Sequence, residues 1–278
     1  MTTDLQLAPV DVRGDVETIY RDGITARKGA FPREWVERMR QDMMTALESA
    51  RKRERGAVSR GPQRWYVEVH PEEISGFAEF VSHPWVKGVS EAVLGPEYKF
   101  VEIGFDVPFQ GAKNQPWHRD FEMPRETRDE HRLTSLAFNL TGVDVTKDMG
   151  PFEIAPGTLW DDGTNWNHGM FPPKEEWARY EPLGVRKFPK MGDISARTAL
   201  TIHRGTEHPS PTPRPVLILG VVASEVANPD EHDLDVSRPF YESLPEEICA
   251  HLLARVVDKV QPITQRHDIE GLVMGVEE

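Results

Sequence analysis

The sequence predicts a mainly β protein in which helices flank an antiparallel sandwich or barrel. From residue 99 onward the chain consists of short β-branched or aromatic runs, separated by glycine, proline and aspartate and with no helical pattern between them. The 278 residues include 23 prolines and 21 glycines, which is typical of short elements joined by many turns. Before residue 97 the pattern is helical, so we expect helices beside the β region.

Amphipathic periodicity predicts three helices. The first begins after Pro32, a residue favoured in the first helical turn, and ends in the charged run 51–55. The second is expected over 84–94, before a Gly-Pro stop signal. The third follows Pro245. The apolar positions of these patterns are, in chain order, Trp35, Met39, Met43 and Leu47, then Val86, Val89 and Val93, then Ile248, Leu252, Val256 and Val260.

Five short runs predict the strands of the β core. Each is rich in β-branched or aromatic residues and is bounded by turn-forming residues, as in antiparallel sheets. The runs are 100–107, 133–140, 152–155, 198–203 and 216–222.

Composition excludes several classes of function. The chain carries 33 Lys and Arg against 46 Asp and Glu, a formal net charge of −13, which repels nucleic-acid phosphates and anionic lipid. The longest aliphatic stretch, 216–223, is far shorter than the ~20 residues of a membrane span. The chain begins without a secretion signal, and its one cysteine, Cys249, permits no intrachain disulfide. We therefore expect a soluble, cytoplasmic protein with neither nucleic acid nor membrane as partner.

His118 and Asp120 form a candidate metal-binding pair. On an extended strand, side chains at positions i and i+2 leave the same face about 7 Å apart, so an imidazole and a carboxylate can converge on one metal. A second triplet of this kind, His70 to Glu72, has a central proline that argues against an inner strand.

Two later residues strengthen that assignment. His203 closes the apolar run 199–202, and Arg214 follows eleven residues later at the start of the run 215–219. Both would point into a barrel mouth. Two histidines and one carboxylate occupy three coordination positions of a metal, the arrangement that suits Fe(II) and leaves adjacent sites open. An inward arginine requires an anion, and a small dicarboxylate would satisfy it.

Several motifs of the chain resemble the phytanoyl-CoA dioxygenase (PhyH) family of Fe(II)/2-oxoglutarate-dependent oxygenases. The resemblance covers about 99–223. It is carried, in order, by Trp-His-Arg-Asp-Phe at 117–121, Gly-Pro-Phe-Glu-Ile-Ala-Pro-Gly-Thr at 150–158, Gly-Asp at 192–193, and His203 with Arg214. It implies a double-stranded β-helix, the jelly-roll or cupin-like barrel of that family.

The same resemblance assigns roles to individual residues. His118, Asp120 and His203 would bind Fe(II), and Arg214 would hold the distal carboxylate of the co-substrate 2-oxoglutarate, with O2 as oxidant. Members often carry a serine two residues after the second histidine. This chain has Gly205 there with Thr206 next to it, so Thr206 is the candidate helper. Asn139 lies where members often place a co-substrate contact, although an ordinary strand residue is the alternative.

The resemblance also implies the reaction class. Relatives that transfer halide have a small residue in place of the carboxylate, so Asp120 favours hydroxylation, or a related oxidation such as desaturation, of an unactivated carbon, with release of succinate and CO2. The substrate is expected to be a small molecule, an amino acid derivative or a secondary metabolite.

Four further residues are candidates for substrate binding. Arg119 and Arg204 follow the two histidines and would orient an anionic group, with outward salt bridges as the alternative. Trp65 and Trp117 would line the pocket, with aromatic packing under long loops as the alternative.

The domain expectation is a single oxygenase domain over 1–278. It divides into an N-terminal helical part at about 12–97, a barrel core at about 98–223 and a C-terminal helical extension at about 224–278. Two other functions stay open: a cupin-like metal-binding or ligand-binding protein without turnover, and a zinc-dependent hydrolase using the same three ligands. A homodimer is one option for its assembly.

Overall fold

The computed structural model describes residues 10–266, which form twelve strands and eight α-helices. The strands are β1 (Ile24–Arg27), β2 (Val58–Ser59), β3 (Arg64–Glu68), β4 (Lys99–Pro108), β5 (Ser135–Thr141), β6 (Phe152–Ile154), β7 (Val185–Arg186), β8 (Ile194–Arg197), β9 (His203–Gly205), β10 (Val216–Val222), β11 (Asp235–Ser237) and β12 (Arg255–Val257). The α-helices are α1 (Arg13–Asp22), α2 (Arg33–Ala50), α3 (Phe77–Val81), α4 (Pro84–Leu94), α5 (Arg125–Glu130), α6 (Trp177–Tyr180), α7 (Arg238–Ser243) and α8 (Glu246–His251).

Seven strands form the main sheet, in the order β1-β8-β5-β10-β4-β3-β2, and every neighbouring pair is antiparallel. A second sheet has the order β7-β6-β9, and β11 pairs with β12 in parallel. The expectation of an antiparallel, sheet-rich fold with flanking helices is therefore confirmed.

The two faces of the main sheet differ in polarity. On β5, Leu136, Phe138 and Leu140 belong to the hydrophobic core that the sheet shares with α2 and α4. The alternate residues Asn139 and Thr141 face a cavity instead. Because successive side chains of a strand point to opposite faces, the apolar face holds the helices and the polar face is available for chemistry.

The first two predicted helices are confirmed as α2 and α4. Helix α4 begins at Pro84, where the missing N–H costs no helical hydrogen bond, and the His83 side chain accepts a hydrogen bond from the Trp85 backbone N–H at 3.2 Å. It ends before Gly95, as the sequence indicates.

The N-terminal part is less helical than expected. Three strands, β1, β2 and β3, lie within 12–97 and join the main sheet. This region therefore supplies part of the polar face as well as the helices that cover the apolar one.

Two predicted elements are wrong. Residues 198–202 of the expected strand 198–203 form the connection between β8 and β9, and His203 begins β9. In this connection the Ala199 carbonyl accepts from the Asp120 N–H at 2.9 Å, and the Ile202 carbonyl accepts from the Ala155 N–H at 2.8 Å. The late helix stops at His251, because Leu253 donates its N–H to the Phe100 carbonyl at 3.0 Å. The chain then forms β12, so the tail is only partly helical, and residues 267–278 lie outside the described part.

No helix between residues 10 and 266 combines the length and the apolar character that a membrane crossing requires.

Candidate metal centre and adjoining cavity

The structure brings His118, Asp120 and His203 together. The two histidines form an antiparallel bridge in which each backbone N–H donates to the other residue's carbonyl, at 3.0 and 2.8 Å. One potential ligand atom from each of the three side chains lies within 4.8 Å of the other two. Within residues 10–266, this is the one cluster of three or more such residues that could hold a metal ion.

Both imidazoles are held in the tautomer that a metal requires. Nδ1 of His118 lies 2.8 Å from the Pro116 carbonyl, and Nδ1 of His203 lies 2.8 Å from the Thr201 carbonyl. A carbonyl can only accept, so each Nδ1 carries a proton, and Nε2 is the nitrogen that remains to face a metal. Burial, with the neighbouring His203, lowers the pKa of His118 to about 3, so this ring is neutral at physiological pH.

The two carboxylate oxygens of Asp120 have different surroundings. Oδ1 lies 3.3 Å from Nε2 of His203 and 4.0 Å from Nε2 of His118. Oδ2 lies 2.7 Å from Nη1 of Arg197, an ion pair whose alignment does not meet hydrogen-bond geometry. Burial opposes ionisation of Asp120, but Arg197 and the two histidines outweigh it and hold the carboxyl pKa well below its ordinary value.

Sequence reasoning missed Arg197. This residue ends β8, which lies just before the run expected to be a strand. The alternation of apolar and polar residues over 194–197 could have revealed it. Ile194 and Ala196 are buried in the core, so Ser195 and Arg197 belong to the opposite, polar face of the sheet.

The donor set suits a mononuclear metal centre. Two imidazoles and one carboxylate oxygen face one point, which is the set found in non-haem Fe(II) oxygenases with open coordination positions. Aromatic rings flank the ligands: the Phe171 ring centroid lies 5.7 Å from that of His118, and the Phe152 centroid lies 5.1 Å from that of His203. These rings keep water away from the histidines on those sides.

A cavity of about 1200 Å³ adjoins the cluster over the polar face of the main sheet. Asp120 and His203 lie on its wall, and so do Asn139 of β5 and Arg214, as the sequence analysis expects. Gly205 of β9 also lines it, so both sheets contribute to the same space.

Arg214 presents its charge to this cavity. The residue is 5% exposed, and its Nε donates to the Met149 carbonyl at 2.9 Å. Among residues 10–266 no ion pair of Arg214 is found. Burial, aided by the charge of Arg64, lowers the pKa of Arg214 to about 10, which leaves the guanidinium protonated at neutral pH.

Thr206 does not line the cavity, contrary to expectation. Its hydroxyl donates to the Pro151 carbonyl at 2.7 Å, which ties β9 to the turn before β6. This placement gives the hydroxyl a structural partner in place of a co-substrate.

Arg204 and Trp117 also lie outside the cavity lining. The Arg204 guanidinium stacks on the Trp117 ring at 4.2 Å and forms ion pairs with Glu153 at 2.6 Å and Glu181 at 2.8 Å. Trp117 is fully buried and donates its indole N–H to Glu181 at 3.0 Å. Arg204 thus forms salt bridges, which was the alternative to substrate binding in the sequence analysis.

Arg119 and Trp65 are likewise absent from the cavity lining. Arg119 is fully buried, stacks on Trp166 at 4.2 Å and donates through Nη2 to the Asp161 carbonyl at 2.7 Å. Trp65 packs against the core on the helix-covered side of β3, with Arg51 over its ring. For Trp65, strand alternation explains why the predicted pocket contact is wrong: Arg64 and Tyr66 point to the cavity face of β3, so Trp65 points to the opposite face.

The fold and the cluster together define a class: an antiparallel β protein with a His-Asp-His centre at the wall of a polar cavity. The chain belongs to the Phytanoyl-CoA dioxygenase (PhyH) family, whose profile matches residues 19–216.

Solved structures with a similar fold include two proteins of low sequence identity. The crystal structure of EctD from S. alaskensis with bound Fe is 18% identical, with a TM-score of 0.61 over 80% of this chain and 79% of that one. The structure of SnoK, a non-heme alpha ketoglutarate dependent carbocyclase from nogalamycin biosynthesis, is 15% identical, with a TM-score of 0.61 over 76% of this chain and 84% of that one. A search of curated proteins finds no significant match.

Proposed function

We propose that this protein is an Fe(II)/2-oxoglutarate-dependent dioxygenase that hydroxylates, or otherwise oxidises, an unactivated carbon of a small molecule. One observation carries the proposal: His118, Asp120 and His203 converge at a cavity wall that also bears the buried guanidinium of Arg214, for which no ion pair is found among residues 10–266. Membership of the PhyH family supports the proposal. The fold that this chain shares with Fe-bound EctD and with the alpha ketoglutarate dependent carbocyclase SnoK also supports it.

The protein residues have distinct tasks in this function. His118, Asp120 and His203 would hold the iron through Nε2, Oδ1 and Nε2, and the Arg214 guanidinium would bind the distal carboxylate of 2-oxoglutarate. With iron, 2-oxoglutarate and O2 bound, the site supplies the oxidising power: one oxygen atom enters the product, and the other enters the succinate formed as CO2 is lost. The protein contributes orientation and exclusion of water by Phe152 and Phe171.

Asn139 is a second proposed co-substrate contact. It lies on the cavity face of β5, and its side-chain amide donates only a long hydrogen bond of 3.4 Å to the Ala137 carbonyl. This amide is therefore available to a ligand.

We also propose that 1–278 acts as one domain and that the sheets close around the cavity as a double-stranded β-helix. Two observations support this architecture. Residues of both sheets line the same cavity, and the family profile extends from the expected barrel core into the N-terminal part.

The two alternative functions, a zinc-dependent hydrolase and a protein without turnover, explain fewer features of the site. A hydrolase would use the three ligands but would leave a buried arginine charge facing the cavity without a purpose. A metal-binding protein without turnover would use the same three ligands but would likewise leave the buried charge of Arg214 without a purpose.

Anaerobic reconstitution tests the proposal. Protein that has bound Fe(II) should develop a visible charge-transfer band on addition of 2-oxoglutarate, and should convert 2-oxoglutarate to succinate when O2 is admitted. Arg214→Met should raise the KM for 2-oxoglutarate at least about tenfold, because it removes a charged hydrogen-bonding partner. Arg186→Met, which removes an equal charge outside the cavity, is the matched control. Iron-loaded protein that gives neither the band nor succinate would refute the assignment.

The substrate is the remaining part of the proposal. We propose an amino acid derivative or a secondary metabolite. A screen of small metabolites, with succinate formation as the readout, should identify compounds that raise turnover above the rate seen without substrate.

A further inference from the structure

A second arginine, Arg64 of β3, lies beside Arg214 at the cavity. Arg64 is 3% exposed and Arg214 is 5% exposed, and both line the cavity. Strand β4 connects them: Arg64 is paired with Pro108, and the Arg214 backbone N–H donates to the Pro108 carbonyl at 3.2 Å. The polar face therefore holds two buried guanidinium groups close to each other.

The charges of Arg64, Arg214 and the neighbouring Asp106 do not balance. The carboxylate of Asp106, also on β4, has its Oδ2 3.6 Å from Nη1 of Arg64 and lies near enough to favour the charged form of both arginines. Two guanidinium groups and one carboxylate leave an excess of one positive charge. Arg60 also lines the cavity, but the carboxylates Glu68 and Glu102 line it around the same Tyr66, so Arg60 is not counted in this excess. A buried excess charge is costly unless an anion compensates it.

Gly205 explains how Arg64 reaches this position. A Cβ atom built on Gly205 would lie 1.8 Å from Nη1 and 2.4 Å from Cζ of Arg64, so the guanidinium occupies the space of a side chain at 205. The φ angle of Gly205 is not positive, so the backbone itself does not demand glycine. A side chain at 205 would therefore require the Arg64 guanidinium to move from this position.

Two contacts fix the Arg64 guanidinium against β9. Nη1 donates to the Gln115 side-chain oxygen at 3.1 Å, and that oxygen also accepts from the Gly205 N–H at 2.8 Å. Nη2 donates to the Thr206 carbonyl at 3.3 Å. The charge is thus held in a defined orientation two residues from the metal ligand His203.

We infer that Arg64 and Arg214 together form a two-arginine subsite for the distal carboxylate of the co-substrate, with Arg64 in the space that residue 205 leaves free. The inference rests on the proposed function, because it assigns the anion to 2-oxoglutarate. One carboxylate balances the excess charge, and the second cation makes the site selective for 2-oxo acids that carry a distal carboxylate.

Binding measurements on Mn²⁺-loaded protein, by calorimetry without O2 chemistry, test this subsite. Arg64→Met should weaken 2-oxoglutarate binding by about 10- to 100-fold, as expected for loss of a charge-assisted contact. The affinity for pyruvate, a 2-oxo acid without a distal carboxylate, should stay within about twofold. Arg186→Met is the control for an equal change in net charge and should leave both affinities unchanged.

A pair of double variants separates anion binding from a structural role. Arg64→Ala opens the space at residue 205, so Arg64→Ala/Gly205→Ser can place a hydroxyl there, whereas Arg64→Ala/Gly205→Ala places only a methyl group. The serine variant should bind 2-oxoglutarate several-fold more tightly than the alanine variant, with equal affinity for pyruvate. This comparison also decides the matter if Arg64→Met fails to fold.

The outcomes distinguish a failure of the two-arginine subsite from a failure of the proposed function. If the unsubstituted protein binds 2-oxoglutarate but Arg64→Met binds it equally well, or if the two double variants bind it equally, the subsite is wrong while the proposed function stands. If the unsubstituted protein does not bind 2-oxoglutarate at all, the proposed function itself fails.

Discussion

Oδ2 of Asp120 lies 2.7 Å from Nη1 of Arg197, and this ion pair turns the other carboxylate oxygen, Oδ1, towards His118 and His203. Arg197 is 8% exposed and stands on the polar face of β8. A metal at the cluster would therefore meet one oxygen of Asp120 with its orientation already set, which is the usual task of a residue that contacts a metal ligand.

Removal of this partner should expose the dependence of Asp120 on charge compensation. We expect Arg197→Leu to lower the stability of the metal-free protein by about 1–2 kcal/mol, because the partly buried carboxylate of Asp120 loses its partner, while its exposure to the cavity offsets some of the cost. Mn²⁺ then becomes the remaining compensating charge. The metal-induced rise in Tm should thus be larger in Arg197→Leu than in the unsubstituted protein, as measured by thermal unfolding with and without Mn²⁺. An equal rise in both proteins would contradict this role.

Asp120 itself should decide metal affinity. Asp120→Asn keeps the size of the side chain but removes the anionic ligand, and we expect Mn²⁺ binding to weaken at least about 100-fold, since hard divalent cations favour carboxylate oxygen. Calorimetric titration of the metal-free protein gives the value. Asp162→Asn, on an exposed loop residue, should bind Mn²⁺ as the unsubstituted protein does. Retained Mn²⁺ affinity in Asp120→Asn would show that the metal lies elsewhere.

Arg204 should contribute to stability and leave substrate binding alone. It shares Glu153, which is 7% exposed, with Arg186 and stacks on Trp117. Arg204→Met should lower the free energy of unfolding by about 1–2 kcal/mol, since Glu153 keeps only one cationic partner. The substrate KM should stay within about twofold. A large rise in KM without loss of stability would instead support the substrate contact that the sequence suggested.

His208 should make stability depend on pH. The residue is fully buried, its Nε2 donates to the Thr212 carbonyl at 2.8 Å, and burial lowers its pKa from 6.5. Below about pH 6.5 the unfolded chain binds a proton that folded His208 does not, so the unfolding free energy falls as pH decreases, by up to ~1.4 kcal/mol per pH unit. Above that pH the contribution is constant.

Chemical denaturation of His208→Gln between pH 5 and 7.5 checks this assignment. The variant should show a shallower loss of stability on acidification than the unsubstituted protein, because glutamine does not titrate. Identical slopes in the two proteins would mean that other groups carry the pH dependence.

Local patterns were sufficient for much of the fold. The bounds of α4 agree with the expected 84–94, since proline and glycine mark its ends and its apolar face has helical spacing. Strands β4 and β10 also agree, to within one residue at each end, because each is a long β-branched run limited by turns. The prediction of a strand over 198–203 was wrong for 198–202, because these residues are buried as a connection between two sheets. Periodicity cannot distinguish such a segment from a strand.

The amino-acid sequence by itself indicated the class of fold. It also indicated the candidate ligands His118, Asp120 and His203 and the arginine Arg214, through their spacing together with the resemblance of their motifs to the PhyH family, because both depend on residues near each other along the chain. Only the tertiary structure decided which other side chains reach the cavity. Arg64 and Arg197 enter it, whereas Arg119, Arg204 and Trp117 turn into a separate packed region. The physical reason is that charge balance and free space, such as the space above Gly205, arise between residues far apart in sequence, after the sheets have come together.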